Sequence, residues 1–393
     1  MRIAFVTSRF PYPVEKGDKL RAFHQIRVLS QTHEVHLVAI SHQHVKEKDL
    51  QAMHSYCTTI KVFYINKWLL PFQIAMGWLG GLPLQVSYFL DRTIKRKVQY
   101  HIINLNPDHV ICQLIRASPY VRALPFRKTL DYMDVFSEGM RQLKDKHGVF
   151  GFPFRWEAQR LAAYERTIYK DFDKHSIISN QDRARLKLAT SGQVAVIPNG
   201  VDESFLHYER KVSPTHDLVF VGNLGYGPNK AAVDVIVNTI FPALKQKGLH
   251  PRVLIAGARP GRRILGHHNT DVTVRGWVED IREAYADGRI FVAPMFSGLG
   301  LQNKILEAMA MGLPCVTTSM VNNAIGAEHG KEIIVADTVK EMTAWIERLL
   351  HNKEMYDRIS VAAKEFVMTH YRWEEQVQKL DEFIQAKNVY ATR

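Results

Sequence analysis

Gly298-Leu-Gly-Leu-Gln-Asn-Lys-Ile-Leu-Glu-Ala-Met-Ala-Met-Gly-Leu-Pro-Cys315 decides how this chain is read. An apolar run, Ile290-Phe-Val-Ala-Pro294, precedes it and has the character of a buried parallel strand. The loop holding Gly298 and Gly300 then leads into a helix whose first turns carry Lys304 and Glu307. Gly312 ends that helix as a cap residue, Pro314 cannot continue it, and Cys315-Val-Thr-Thr reads as the next strand. Two glycines let a backbone approach a ligand, and the open N–H groups of a helix start favour an anion. Lys304 adds a cation, and Glu307 follows on the same helix face, where a carboxylate accepts hydrogen bonds from sugar hydroxyls. The set suits a nucleoside diphosphate with its ribose. It is not a dehydrogenase fingerprint: the third position is Asn303, and no acidic residue follows at the required distance.

Upstream of this stretch the same alternation repeats. Asp217-Leu-Val-Phe-Val-Gly222 reads as a strand, followed by the Gly-rich loop Asn223-Leu-Gly-Tyr-Gly-Pro-Asn-Lys230 and a helix from about Ala231. Arg252-Val-Leu-Ile-Ala-Gly257 is a second strand, and its loop, Ala258-Arg-Pro-Gly-Arg-Arg263, is basic enough to serve phosphate through Arg262. Val272-Thr-Val-Arg-Gly-Trp-Val-Glu-Asp280 follows, with Asp280 as the expected cap of a helix from Ile281. Val194-Ala-Val-Ile-Pro-Asn-Gly-Val-Asp202 has the punctuation of a linker.

The first half also alternates. Ile3 to Val6, Val35 to Ile40, Ile60 to Tyr64, Pro107 to Gln113, Arg127 to Asp134 and Ser176 to Ser179 read as strands. Gly17 stands in the loop after the first strand, before a helix from about Lys19. The fifth strand ends at two carboxylates, Asp131 and Asp134. Either orients an acceptor hydroxyl or takes its proton; alternatively Asp134 caps the next helix and Asp131 holds the turn. A basic, aromatic tract between Arg141 and Arg166, including Phe150, is expected to border the acceptor side, and Asn180 to Ala189 to be a helix.

Trp68 to Leu90 is long and apolar, but Pro71, Gly80, Gly81 and Pro83 would break a spanning helix. Lys61, Lys67, Arg92, Lys95, Arg96 and Lys97 flank it. Aromatic bulk bordered by cations predicts a helix pair lying on an anionic membrane through residues 61–97, the alternative being core helices with a solvated basic face.

A length of 393 residues fits two domains of about 150–200 residues. The net charge of +13 asks for anionic partners, and no nucleic-acid-binding motif is present to claim them. Three scattered cysteines form no disulfide framework or zinc site, and a reducing compartment is expected. The histidines lack accompanying ligands and read as surface residues. Met1-Arg-Ile-Ala-Phe-Val-Thr runs straight into a loop, so no leader is expected and the location expected is cytoplasmic, peripheral on the inner face of the plasma membrane.

Lys304-Ile-Leu-Glu-Ala-Met-Ala-Met-Gly-Leu-Pro314 and Ile197-Pro-Asn-Gly-Val-Asp202 together resemble retaining GT-B glycosyltransferases of the kind grouped as glycosyltransferase family 4. The resemblance implies two doubly wound α/β domains facing across a cleft. They are 1–195 with a C-terminal helix 371–393 for the acceptor, and 196–370 for the nucleotide sugar. It implies that Gly300, Leu301, Gln302, Asn303 and Lys304 hold the donor diphosphate and that Glu307 binds the ribose. Gly222, Asn223 and Lys230 would face the phosphates, Gly17 the donor phosphates or the acceptor, and the backbone of Gly276, Trp277 and Val278 the base. Asp131, or Asp134 close behind it, matches the acid or histidine that relatives place beside the transferring sugar. Many members carry a second Glu, and its place here is Leu299; this chain is similar to the members with Gly-x-Gly-x-x-x-Lys instead. The implied reaction is glycosyl transfer with retention to a polysaccharide or lipid-linked glycan precursor, without cofactor or metal. A nucleotide-sugar 2-epimerase of the same architecture and a non-catalytic nucleotide-sugar-binding protein are the alternatives.

Overall fold

The computed structural model describes residues 1–147, 151–186, 193–209, 214–298 and 300–386, with the side chains of 145–147 left aside. The chain divides into two compact units, one made of Met1–Pro198 with the tail from Trp373, the other of Asn199–Arg372.

The first unit is built on seven parallel strands. They are β1 (Arg2–Thr7), β2 (Glu34–Ser41), β3 (Thr59–Tyr64), β4 (His109–Gln113), β5 (Lys128–Asp131), β6 (Lys174–Ile177) and β7 (Ala195–Val196). Their order is β3-β2-β1-β4-β5-β6-β7. The central strands are almost uninterrupted Val, Ile, Leu and Ala because helices cover both faces of the sheet. Ala4, Val6, Val110 and Leu130 pack into one core layer, and Ile3, Phe5, Leu37 and Ile111 into the other. The terminal helix Trp373–Gln385 belongs to this second layer. Its Trp373 is 1% exposed and stacks on His24 with ring centroids 4.6 Å apart, and Glu374 pairs with Arg27 at 2.8 Å.

The second unit holds six parallel strands, β8 (His216–Val221), β9 (Val253–Ala256), β10 (Val272–Arg275), β11 (Gly288–Ala293), β12 (Cys315–Thr317) and β13 (Ile334–Val335). The order is β10-β9-β8-β11-β12-β13. Each sheet therefore reverses its winding once, between β1 and β4 in the first and between β8 and β11 in the second. Ligands of doubly wound sheets lie beyond the strand carboxyl ends at that reversal.

Two expectations shift. Gly17 is the first residue of the helix Gly17–Leu29 rather than part of the loop, so its N–H is one of the open amides of a helix start. The strand at 127–134 stops at Asp131, and Met133 turns the chain with φ of +57°. Asp131 therefore belongs to the sheet and Asp134 to the segment leaving it.

Candidate functional site

The reversal of the second sheet is flanked by the loop after β8 and the loop after β11, which are the two Gly-bearing stretches of the sequence. Gly298 and Gly300 take φ of +137° and +71°, conformations that a side chain disfavours, and they turn the chain into the helix Asn303–Ala310. That helix closes with paired bonds from the N–H of Gly312 to Met309 O and of Leu313 to Ala308 O, the glycine taking the left-handed position. Leu299 and Phe150 lie outside the described residues, as does the end of the expected helix at 187–189.

Lys304 leaves the first turn of this helix. Its Nζ donates to Asn229 Oδ1 at 2.5 Å, lies 3.2 Å from Met295 Sδ, and sits 5.3 Å from the centroid of Phe220. The residue keeps some exposure, but its ammonium end is sunk among these groups, and burial brings its pKa down to about 7, with Glu307 opposing the fall. Glu307 accepts a hydrogen bond of 2.7 Å from the hydroxyl of Tyr285, a fully buried residue on the helix Ile281–Ala286. Burial raises the Glu307 pKa, while the Tyr285 bond and Lys304 hold it down. Cation and carboxylate are thus fixed on neighbouring turns, each by a partner from another helix.

The Gly-rich loop contributes differently from its sequence reading. Asn223 and Lys230 are exposed, and Asn229, 4% exposed, joins the loop to Lys304: its amide donates to Asn223 O at 3.0 Å while its oxygen accepts from the ammonium. Gly222 packs against that same amide; a Cβ there would meet Asn229 Nδ2 at 2.8 Å. Arg262 starts the short helix Arg262–Leu265 and is exposed. Gly276, Trp277 and Val278 follow β10; Gly276 O accepts from Gly257 N at 3.2 Å, and Trp277 is largely exposed. Leu301 is buried, and Gln302 donates weakly to Gly300 O at 3.4 Å. Asn303 accepts from Asn199 Nδ2 at 3.1 Å, so the linker-like Asn199, itself buried, braces the start of the helix. Asp280 caps its helix by accepting from Arg282 N at 3.0 Å.

Asn229, Tyr285 and Asn199 were not singled out by sequence reasoning. Nothing in their local spacing separates them from ordinary helix and turn residues, since their roles come from partners distant in sequence.

In the first unit the two carboxylates part ways. Asp131 is wholly buried and accepts from Arg21 Nε at 2.6 Å, Arg21 Nη2 at 3.0 Å, Ser176 Oγ at 3.0 Å and Gln25 Nε2 at 3.3 Å. Arg21 is equally buried and also donates to Ile197 O. A carboxylate whose lone pairs are filled inside the core has the geometry of a brace, which fits the alternative in which Asp131 holds the turn. Asp134 is partly exposed and has no hydrogen-bond partner among the described residues. Burial first, then Asp182, push its pKa up to about 7 against the pull of Arg21, with Asp18 and Asp131 adding to the rise. Gly17 is exposed and lies near the Met133 methyl.

Residues 61–97 run from the end of β3 through a short turn Lys67–Leu69, the helix Leu70–Leu79 and the one-turn helix Leu84–Ser87 into the helix Arg92–Leu105. Trp68 is 93% exposed and Leu79 71%, with Leu69, Phe72 and Trp78 also exposed. Among the described residues no helix is long and apolar enough to cross a membrane, and no group of three His, Cys, Asp or Glu is gathered as for a metal ion.

Residues 215–352 match the family model described as glycosyl transferases group 1. Over 392 residues the chain is 23% identical to an uncharacterized 44.6 kDa protein in the cps region of Klebsiella pneumoniae, covering 94% of this chain and 96% of that protein. Solved structures share the whole fold at low identity. Sucrose-phosphate synthase from Thermosynechococcus elongatus has a TM-score of 0.67 at 14% identity, over 97% of this chain and 98% of that one. HepE of Anabaena, in complex with UDP and glucose, gives 0.66 at 13%, over 98% and 100%. TarM of S. aureus, in complex with fondaparinux, α-GlcNAc-glycerol and UDP, gives 0.69 at 11%, over 98% and 100%. The chain therefore has the GT-B fold, two Rossmann-like parallel-sheet units, with the match to glycosyl transferases group 1 falling within the second unit.

Proposed function

We propose that this protein transfers a glycosyl group from a nucleoside-diphosphate sugar to a polysaccharide or lipid-linked glycan precursor, with retention at the anomeric carbon. The observation that carries the reading is the Lys304–Glu307 pair at the reversal of the second sheet. Asn229 and Tyr285 hold it in place, within the domain that matches glycosyl transferases group 1. In this reading the amides of Gly300 to Asn303 and the Lys304 ammonium take the diphosphate, and Glu307 accepts from the ribose hydroxyls. As the bond from the anomeric carbon to the diphosphate breaks, negative charge grows on the leaving oxygen, and a cation fixed in a low-dielectric pocket stabilises that charge without reorganising. Gly222, Asn223 and the backbone of 276–278 complete the donor side, and the exposed Lys230 and Arg262 offer cations at its rim.

UDP is the nucleotide to test first, because it is the one in the HepE and TarM structures. A ligand of the native state raises the melting temperature, by an amount that grows with the logarithm of its concentration over Kd. Glu307→Gln is expected to weaken UDP binding by roughly tenfold while leaving the unliganded melting point within about 2 °C. Unchanged affinity removes the ribose role.

The tract 61–97 supports a peripheral membrane contact in the same reading. Trp68 and Leu69 project from the turn Lys67–Leu69, and Phe72 and Leu79 from the helix Leu70–Leu79, which is too short to span, in a tract flanked by Lys and Arg. Flotation with vesicles containing phosphatidylglycerol at low salt should carry the protein upward, and Trp68→Ser with Phe72→Ser should leave it at the bottom. No flotation of the parent protein rejects the contact.

A further inference from the structure

The first sheet has a reversal of its own, between β1 and β4, and each loop leaving it carries an arginine, Arg9 after β1 and Arg116 after β4. Both guanidinium groups lie against one ring: Arg9 is 5.6 Å and Arg116 5.2 Å from the centroid of Phe89. Arg116 also covers Phe136 at 4.5 Å, and His42 meets the edge of Phe89 at 4.9 Å. Arg9 has a counter-charge, Asp18, at 2.6 Å.

Arg116 does not. Its only hydrogen bond among the described residues runs from Nη2 to the neutral Gln85 Oε1, at 2.8 Å. No carboxylate there is within ion-pair distance, and Nε is shut from water without an acceptor. Burial and the neighbouring Arg9 bring the Arg116 pKa down to about 10, so the group stays charged at neutral pH. A sunken cation without a counter-ion is costly, and natural structures keep one where something else supplies the charge. Asp18 and Asp134 attract it without pairing with it: Asp18 is taken by Arg9, and burial first, then Asp182, Asp18 and Asp131, push Asp134 toward its neutral form.

We infer that Arg116, seconded by Arg9, holds a phosphate group of the acceptor at the reversal of the first sheet. The inference rests on the transferase reading and narrows the acceptor to an anionic, phosphate-bearing class. Arginine is suited to this, because its planar fork meets an oxyanion with two parallel N–H bonds. The phosphate belongs either to a soluble sugar phosphate or to a lipid headgroup, and the chemistry at Arg116 is the same for both.

The test uses the full chain with UDP present, so that the second unit's diphosphate site is filled. Phenyl phosphate in solution and phosphatidylglycerol vesicles are the two probes. Arg116→Gln should weaken one of them by about tenfold or more, and Arg9→Gln by a smaller factor, with UDP affinity unchanged. Loss confined to the vesicles assigns the phosphate to a lipid headgroup, and loss with phenyl phosphate assigns it to a soluble acceptor. Arg116→Lys keeps charge and bulk and guards against misfolding; it should bind more weakly than the parent and more tightly than Arg116→Gln. If all three variants bind both probes like the parent, or if Lys304→Ala abolishes phenyl phosphate binding while Arg116→Gln does not, the inference is overturned. A parent protein that does not bind UDP, yet shows Arg116-dependent phosphate binding, refutes the donor reading and leaves the anion site standing.

Discussion

Asp131 and Asp134 are three residues apart and chemically identical, yet the same substitution at each should move stability in opposite directions. Asp131→Asn removes the negative charge that answers Arg21, leaving a fully buried guanidinium facing a neutral amide oxygen. Breaking a buried pair by removing one partner costs about 3–5 kcal/mol. At roughly 2–4 °C per kcal/mol for a unit of this size, the melting temperature should fall by roughly 6–20 °C. Asp134→Asn removes a carboxylate that burial and Asp182 hold at about 7, against an ordinary value of 3.8. The folded pKa is the higher one, so the protonated form is the favourable one; its advantage is complete below pH 3.8 and is lost as pH rises through 7. An asparagine never ionises, so the variant should be more stable than the parent at pH 8, by up to about 4 kcal/mol. The two should converge near pH 4. Differential scanning fluorimetry of parent and variants between pH 4 and 8 measures both effects, with glycosyl transfer assayed alongside. The reasoning is refuted if Asp131→Asn melts within about 2 °C of the parent, or if Asp134→Asn is destabilised more at pH 8 than at pH 4. A double variant, Arg21→Met with Asp131→Leu, should recover much of the loss, because the expense lies in the orphaned charge.

If Lys304 takes the donor diphosphate as proposed, it sets a pH dependence of donor binding. In the empty site it is half-protonated near pH 7, and a bound diphosphate favours the ammonium, so binding takes up a proton. The affinity for a nucleotide sugar, whose phosphates have no ionisation near neutrality, should fall up to about tenfold per pH unit above 7 and level off below it; calorimetric titration at pH 6, 7, 8 and 9 reads this, and a flat profile contradicts it. Gly257 takes φ of +141°, and a Cβ there would lie 1.8 Å from Gly222 O, so Gly257→Ala should destabilise the second unit by at least about 3 kcal/mol. Gly261→Ala, where nothing lies within 4 Å, should melt like the parent, and equal melting points for the two variants would show that the close approach after β9 is not needed.

What the sequence made legible follows from how parallel sheets are built. Strands covered on both faces are written as short apolar runs, and β1, β2, β8, β9 and β11 stand out for that reason. The loop and helix proposed for the donor were legible because their chemistry is local: Gly300, Lys304 and Glu307 fall within two turns of chain. What was not legible is whatever depends on a distant partner. The counter-charge of Asp131 comes from Arg21, 110 residues away, and the acceptor that holds Lys304, Asn229, from a helix 75 residues upstream. Two carboxylates at a strand end look equivalent until it is known where the strand stops, and Met133, with its left-handed turn, is what separates them. Arg116 is the sharper case. In sequence it is one basic residue in a chain with an excess of 13 positive charges, and nothing marks it. Only the fold, which sinks it between Phe89 and Phe136 at the reversal of the first sheet, distinguishes it from the cations that merely solvate the surface. The excess charge is thus not one property but two: a diffuse basic surface that composition reveals, and a half-buried cation, held between two aromatic rings, for which a phosphate partner is inferred.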